Sequence, residues 1–90
     1  PDAIFIGGGL STVGVFEACW QALRVGGRLV VNAVTTESEV MLIKLNQNFG
    51  GDLTRITISK THPLGKHTGW KTLMPTLQWR VTKGCMAITQ

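Results

Sequence analysis

The stretch IFIGGGLSTVG, residues 4–14, decides how this chain is read. An apolar run stops at three consecutive glycines, and behind them Ser11 and Thr12 head a segment with a different apolar spacing. Continuous apolarity ended by glycine predicts a short strand over residues 3–6, buried on both faces. From Ser11 on, Val13, Phe16, Trp20 and Leu23 recur every three or four residues, with Glu17, Gln21 and Arg24 between them. That spacing predicts an amphipathic helix capped by Ser11 or Thr12 and ended by Gly26 and Gly27.

A glycine loop between a strand and a helix raises the question of a phosphate cradle. A dinucleotide fingerprint needs Gly-x-Gly-x-x-Gly and an acidic residue about twenty positions later, at the end of the next strand. Gly7 and Gly9 fill the first two positions, but Thr12 takes the third, and the next strand ends in Asn32 and Ala33. A nicotinamide cofactor is therefore disfavoured. A Walker loop fails because no Gly-Lys-Ser/Thr follows. What remains is a loop without side chains, Gly7 to Gly9, over which a ligand can approach the backbone, or a plain crossover turn.

Outward from this stretch, RLVVNAV, residues 28–34, predicts a second buried strand. Thr36 followed by Glu39 reads as a capping box, opening a helix whose face is Val40, Met41, Ile43, Leu45 and Phe49 and which stops at Gly50 and Gly51. Residues 53–60, LTRITISK, alternate as a half-covered strand does. An aperiodic segment of about fourteen residues follows and predicts a functional loop carrying His62, Pro63, Gly65, His67, Gly69, Trp70 and Pro75. Residues 76–89 predict a last long strand, bent at Gly84. Two helical crossovers imply three parallel strands with right-handed connections, and a strand returning without a helix must run antiparallel. The expected fold class is an open α/β sheet.

The bounds agree with one small domain. The chain has 90 residues, 43 % hydrophobic and 16 % charged, with a net charge of +4. This excludes a disordered chain, and no apolar run reaches the roughly 18 residues of a membrane span. Starting at Pro1, without an initiator Met, it reads as a piece of a longer protein. Cys19 and Cys85 are too few for a disulfide framework, so packed thiols and a cytoplasmic location are expected. The positive charge forms no run or stripe, which suits an anionic small molecule as well as nucleic acid; no nucleic-acid partner and no membrane are expected.

In open α/β sheets ligands bind outside the carboxyl ends of the strands. Gly7 to Gly9, Asn32 to Thr35 and His62 onward should share that rim, with Gln78 and Trp79 starting near it. His62 and His67 lack the further donors of a metal site, so no metal is expected; with Lys66 and Lys71 they offer two titratable and two fixed charges to an anion. Trp20 belongs to the core. Trp70 in the long loop must cover a core edge or a ligand. Asn32, in an apolar strand, needs partners for its amide and is the foremost site candidate.

At PDAIFIGGG, GGRLVVNAVTTESE, GGDLTRI, PLGKHTGW and MPTLQW the chain resembles the carboxyl-terminal methyltransferase domain of the precorrin-6Y C(5,15)-methyltransferase (decarboxylating) family of cobalamin biosynthesis. The resemblance runs in order through almost all the chain. It implies a partial Rossmann-like class I methyltransferase sheet, with residues 1–90 as the C-terminal half of the domain. It also implies S-adenosylmethionine as methyl donor and a precorrin, a polycarboxylate tetrapyrrole, as substrate, with decarboxylation of an acetate side chain. The family's glycine-rich cofactor motif has no counterpart in these residues. On this reading Gly7, Gly8 and Gly9 pass beside the cofactor's methionine end, Asn32 is catalytic, and Thr35, His62, Lys66 and Trp70 hold the substrate. The isolated chain should be inactive, and its first strand should leave an open edge that favours a homo-oligomer. Two rivals stand beside it: a class I methyltransferase for RNA or protein, and an inert, self-associating structural fragment.

Overall fold

The computed structural model describes residues 1–8 and 14–84. Eight elements follow in order: β1 (Ala3–Ile6), α1 (Val15–Ala22), β2 (Arg28–Ala33), α2 (Thr36–Phe49), β3 (Asp52–Ile56), β4 (Ser59–Leu64), β5 (His67–Thr72) and β6 (Thr76–Thr82). Four strands form a mixed sheet in the order β1-β2-β6-β3. β1 pairs in parallel with β2, while β6 lies between β2 and β3 and is antiparallel to both. Strands β4 and β5 form a separate antiparallel hairpin. Among the described residues no helix is long and apolar enough to cross a membrane.

The core lies on one face of the sheet. Side chains alternate along a strand, so Leu29, Val31 and Ala33 of β2 line up with Leu77, Trp79 and Val81 of β6, and all six are buried. Phe16 of α1 and Leu42 of α2 close this layer. Phe16, Trp20 and Phe49 gather beside Trp79, with ring centroids 5.1–5.9 Å apart. The Trp79 indole donates to the Gly50 carbonyl at 2.8 Å, which satisfies its one polar atom inside the core. Gly51 is required there: at φ +89°, an added Cβ would strike the Arg80 carbonyl and lie 2.9 Å from Trp79 Nε1.

Among the described residues no helix covers the other face. Phe5, Arg28 and Arg80 are exposed there and Val30 is half-buried, and a groove of about 750 Å³ at the amino ends of β1 and β2 takes its lining from them and from Phe49 at the end of α2. The expectation that residues 3–6 are buried on both faces is thus corrected: Ile6 is buried and Ile4 packs on the core, but Phe5 is 61 % exposed. Apolarity alone does not distinguish a covered face from an uncovered one.

Further corrections concern the helices and the long loop. Helix α1 starts at Val15 behind Gly14, whose φ of 86° is left-handed, and not from a hydroxyl cap; Ser11, Thr12 and Val13 lie outside the described residues, as does Gly9. Helix α2 is capped one residue earlier than expected: the Thr35 hydroxyl accepts from the Ser38 amide at 3.1 Å. Glu39 does not reach back to Thr36. Its carboxylate takes a two-pronged bond from Arg55 of β3, at 3.0 and 3.1 Å, which ties α2 to the sheet edge and holds the carboxyl below its ordinary value. The fully buried residue of α2 is Leu42, absent from the expected face; of that face Met41 and Leu45 pack against the core and Phe49 against Phe16 and Trp20, whereas Val40 is 51 % and Ile43 42 % exposed.

The predicted strand over residues 53–60 breaks after Ile56, and the predicted loop is instead the β4-β5 hairpin. Its turn is at Gly65 and Lys66, with Gly65 at φ +60°. The segment reads as aperiodic because neither face is buried, so no alternation of polarity marks it. The last strand ends at Thr82; Cys85 and residues 86–90 lie outside the described residues. Cys19 is a half-buried free thiol against the core.

Candidate functional site

Gly7 follows the carboxyl end of β1, and Ile6 pairs with Val31, so the glycine segment leaves the sheet at the level of Asn32. Asn32 lies directly across from Gln78, because β6 enters the sheet at this rim. The side chains meet: Gln78 Nε2 donates to Asn32 Oδ1 at 3.0 Å. Position alternation puts both on the face without helices, together with Phe5, Val30 and Gly7. Among the described residues the Asn32 Nδ2 amide and the Gln78 Oε1 carbonyl have no hydrogen-bond partner. The pair therefore presents donors and an acceptor side by side at the rim.

The glycines have distinct surroundings. A Cβ on Gly7 would lie 2.9 Å from the Phe5 ring, whereas Gly8 faces open space. Phe5, expected in a strand buried on both faces, thus leans its ring toward the glycine segment from the uncovered face; nothing in the continuously apolar run Ala3–Ile6 marks it out.

Thr35 stands at the same rim, two residues beyond β2, with its hydroxyl engaged in capping α2. The remaining expected residues are carried by the hairpin. His62 pairs with Gly69 and Trp70 with Thr61, so His62 and Trp70 point to opposite faces of it. Lys66 is at the turn, exposed, and Trp70 is 74 % exposed. The rim thus brings together Gly7, Gly8, Asn32, Thr35 and Gln78, while His62, Lys66 and Trp70 stand on a separate two-stranded element beyond β3. Among the described residues no group of three or more His, Cys, Asp or Glu could hold a metal ion.

The charge distribution is lopsided in a way that a net value hides. All five carboxylates fall at or before Asp52, whereas six of the nine Lys and Arg residues follow it. Of these, Arg55 is paired with Glu39, and the Lys83 ammonium donates to the carbonyls of Trp20 and Leu23 at 2.6 and 2.8 Å, closing the C-terminal end of α1.

A family model described as precorrin methyltransferase domain matches residues 1–83. The chain belongs to this family. It is 56 % identical to a precorrin-6Y C(5,15)-methyltransferase [decarboxylating] from Sinorhizobium sp. over 84 residues, which is 93 % of the chain and 20 % of that protein. A solved domain from Corynebacterium diphtheriae assigned to the same enzyme superposes with a TM-score of 0.88 at 52 % identity, covering 93 % of the chain and 49 % of that structure. The C-terminal domain of precorrin-6Y C5,15-methyltransferase from Rhodobacter capsulatus gives 0.82 at 44 % identity, covering 92 % and 45 %. The fold of this precorrin methyltransferase chain is therefore an α/β fold resembling methyltransferases, with a mixed sheet. The chain spans about a fifth of the curated relative and about half of the solved domains.

Proposed function

We propose that this chain is the C-terminal half of a class I methyltransferase domain that, in the intact protein, methylates a precorrin with S-adenosylmethionine and takes part in removing an acetate carboxylate. The observation that carries this reading is the Asn32–Gln78 amide pair, set at the carboxyl rim beside side-chain-free Gly7 and Gly8. The rim fits one end of the cofactor only. Gly7 and Gly8 let a ligand approach the backbone, but none of the rim's described residues is a carboxylate that would hold a ribose. When bound, S-adenosylmethionine supplies an electrophilic methyl group.

The chain's own contribution is positioning. A carbon nucleophile must be held in line at roughly 3 to 3.5 Å, and two amides fixed to each other across adjacent strands are stiff enough to do this. Asn32 keeps its Nδ2 hydrogens to donate to a carbonyl or carboxylate, while Gln78 Oε1 accepts a hydrogen bond from an N–H or O–H of the same ligand. Thr35 acts by starting α2 and so fixing the turn beside Asn32. His62 and Lys66 contact substrate from the hairpin. Decarboxylation needs an electron sink, which the conjugated macrocycle contains, and no protein base is invoked.

The test is methyl transfer from labelled S-adenosylmethionine to precorrin-6Y by the intact protein. Asn32→Ala should lower kcat/KM by about tenfold to a hundredfold, which corresponds to about 1.4 to 2.8 kcal/mol of lost transition-state stabilisation. Wild-type rates of methylation and carbon dioxide release in this variant would remove Asn32 from the site.

A further inference from the structure

We propose that one face of the β4-β5 hairpin, carrying Lys60, His62, His67 and Lys71, is the surface that takes the carboxylates of the tetrapyrrole substrate; this rests on the precorrin reading above. The strand register makes the assignment. Lys60 lies opposite Lys71, His62 opposite Gly69 and Leu64 opposite His67, and all six positions share one face. Ser59, Thr61, Pro63, Thr68, Trp70 and Thr72 occupy the other.

Three features single this face out. Its lysines are directly across from one another, an arrangement that destabilises a strand pair by repulsion. It does so in a two-stranded element that buries no core of its own and is therefore marginal. Nothing within residues 59–74 offsets the charge, since no carboxylate lies beyond Asp52. An anion between Lys60 and Lys71 turns the repulsion into attraction.

The third feature is shape. Gly69 leaves the position opposite His62 without a side chain, and Leu64 lies over it so closely that a Cβ on Gly69 would strike Leu64 Cδ1. A low apolar patch is thus bordered by cationic groups at one end and imidazoles beside it, over about 13 Å of strand. A planar macrocycle with carboxylates at its periphery complements that pattern: ring on Leu64 and Gly69, carboxylates on the lysines. A nucleic acid would instead be expected to use the exposed Trp70 ring for stacking, and Trp70 is on the opposite face.

The experiment titrates the intact protein with uroporphyrin, an octacarboxylate tetrapyrrole, followed by porphyrin fluorescence. Lys60→Ser with Lys71→Ser should weaken binding tenfold or more and flatten its dependence on salt, whereas Thr61→Ala with Thr68→Ala on the other face should leave both unchanged. Circular dichroism checks that both variants keep the fold. Unchanged affinity in the lysine variant, or equal loss in the threonine variant, overturns the proposal. So does an oligouridylate whose binding falls with the lysines while that of uroporphyrin does not. Turnover of precorrin-6Y separates the two readings. A wild-type protein that binds uroporphyrin through the lysines yet transfers no methyl group keeps the surface and loses the substrate. Normal transfer with an unchanged KM in the lysine variant loses the surface alone.

Discussion

Trp79 and Trp70 are nine positions apart in the chain and opposite in circumstance. Trp79 is fully buried in the four-stranded sheet, its ring among Phe16 and its neighbours and its indole N–H bonded to Gly50; Trp70 stands 74 % exposed on the hairpin. The sheet region is built by packing, where side chains are fixed by what surrounds them. In the hairpin no residue is buried, so its side chains are free to serve whatever approaches it. The same residue type thus reports stability in one region and surface chemistry in the other.

The sharpest way to break this contrast is to truncate both rings. Trp79→Ala should cost about 3 to 5 kcal/mol of unfolding free energy, since the cavity lies at the centre of the core, while Trp70→Ala should stay within about 0.5 kcal/mol. Denaturant unfolding of the two variants decides it; similar losses would mean that the hairpin is structurally coupled to the sheet. A smaller effect is expected at Lys83, which reaches from the end of β6 to two carbonyls of α1. Lys83→Met should cost about 1.5 to 3 kcal/mol, as a hydrogen-bonded charge is lost and two acceptors are left without it.

The smallest effect belongs to Glu39 and Arg55. Arg55 hydrogen-bonds the Glu39 carboxylate and lowers its pKa from its ordinary value of 4.5. A carboxyl lowered in the folded state adds stability that is present above that ordinary value and fades as the pH falls below it. Glu39→Gln should therefore flatten the acid side of the melting temperature profile below about pH 4.5 and change little at neutral pH, where an exposed pair contributes weakly.

Legibility in the sequence follows the same division. The α1 core face was readable through Phe16 and Leu23 because burial imposes a period, whereas β2 was readable only as an apolar run, which does not show that Leu29, Val31 and Ala33 alone are fully covered. The hairpin was not, because residues with no buried face have no period to display, and Gly65 and Gly69 read equally well as loop. Cap positions shifted for a local reason: Thr35 and Thr36 are adjacent hydroxyls, and Arg55, nineteen positions beyond Thr36, competes for the carboxylate that would have completed the box. At the candidate site, Asn32 was legible as a polar residue, within an apolar strand, that needs a partner for its amide. Its partner was not, since only the insertion of β6 beside β2 sets Gln78 opposite it.

That insertion also orders events during synthesis. In the four-stranded sheet β3 hydrogen-bonds β6 alone, and β6 is translated after it, with the hairpin in between. Until residues 76–82 have left the ribosome, β3 has no strand to pair with and the Asn32 amide has no Gln78, so the candidate rim depends on a long-range pairing that no local contact can form in advance.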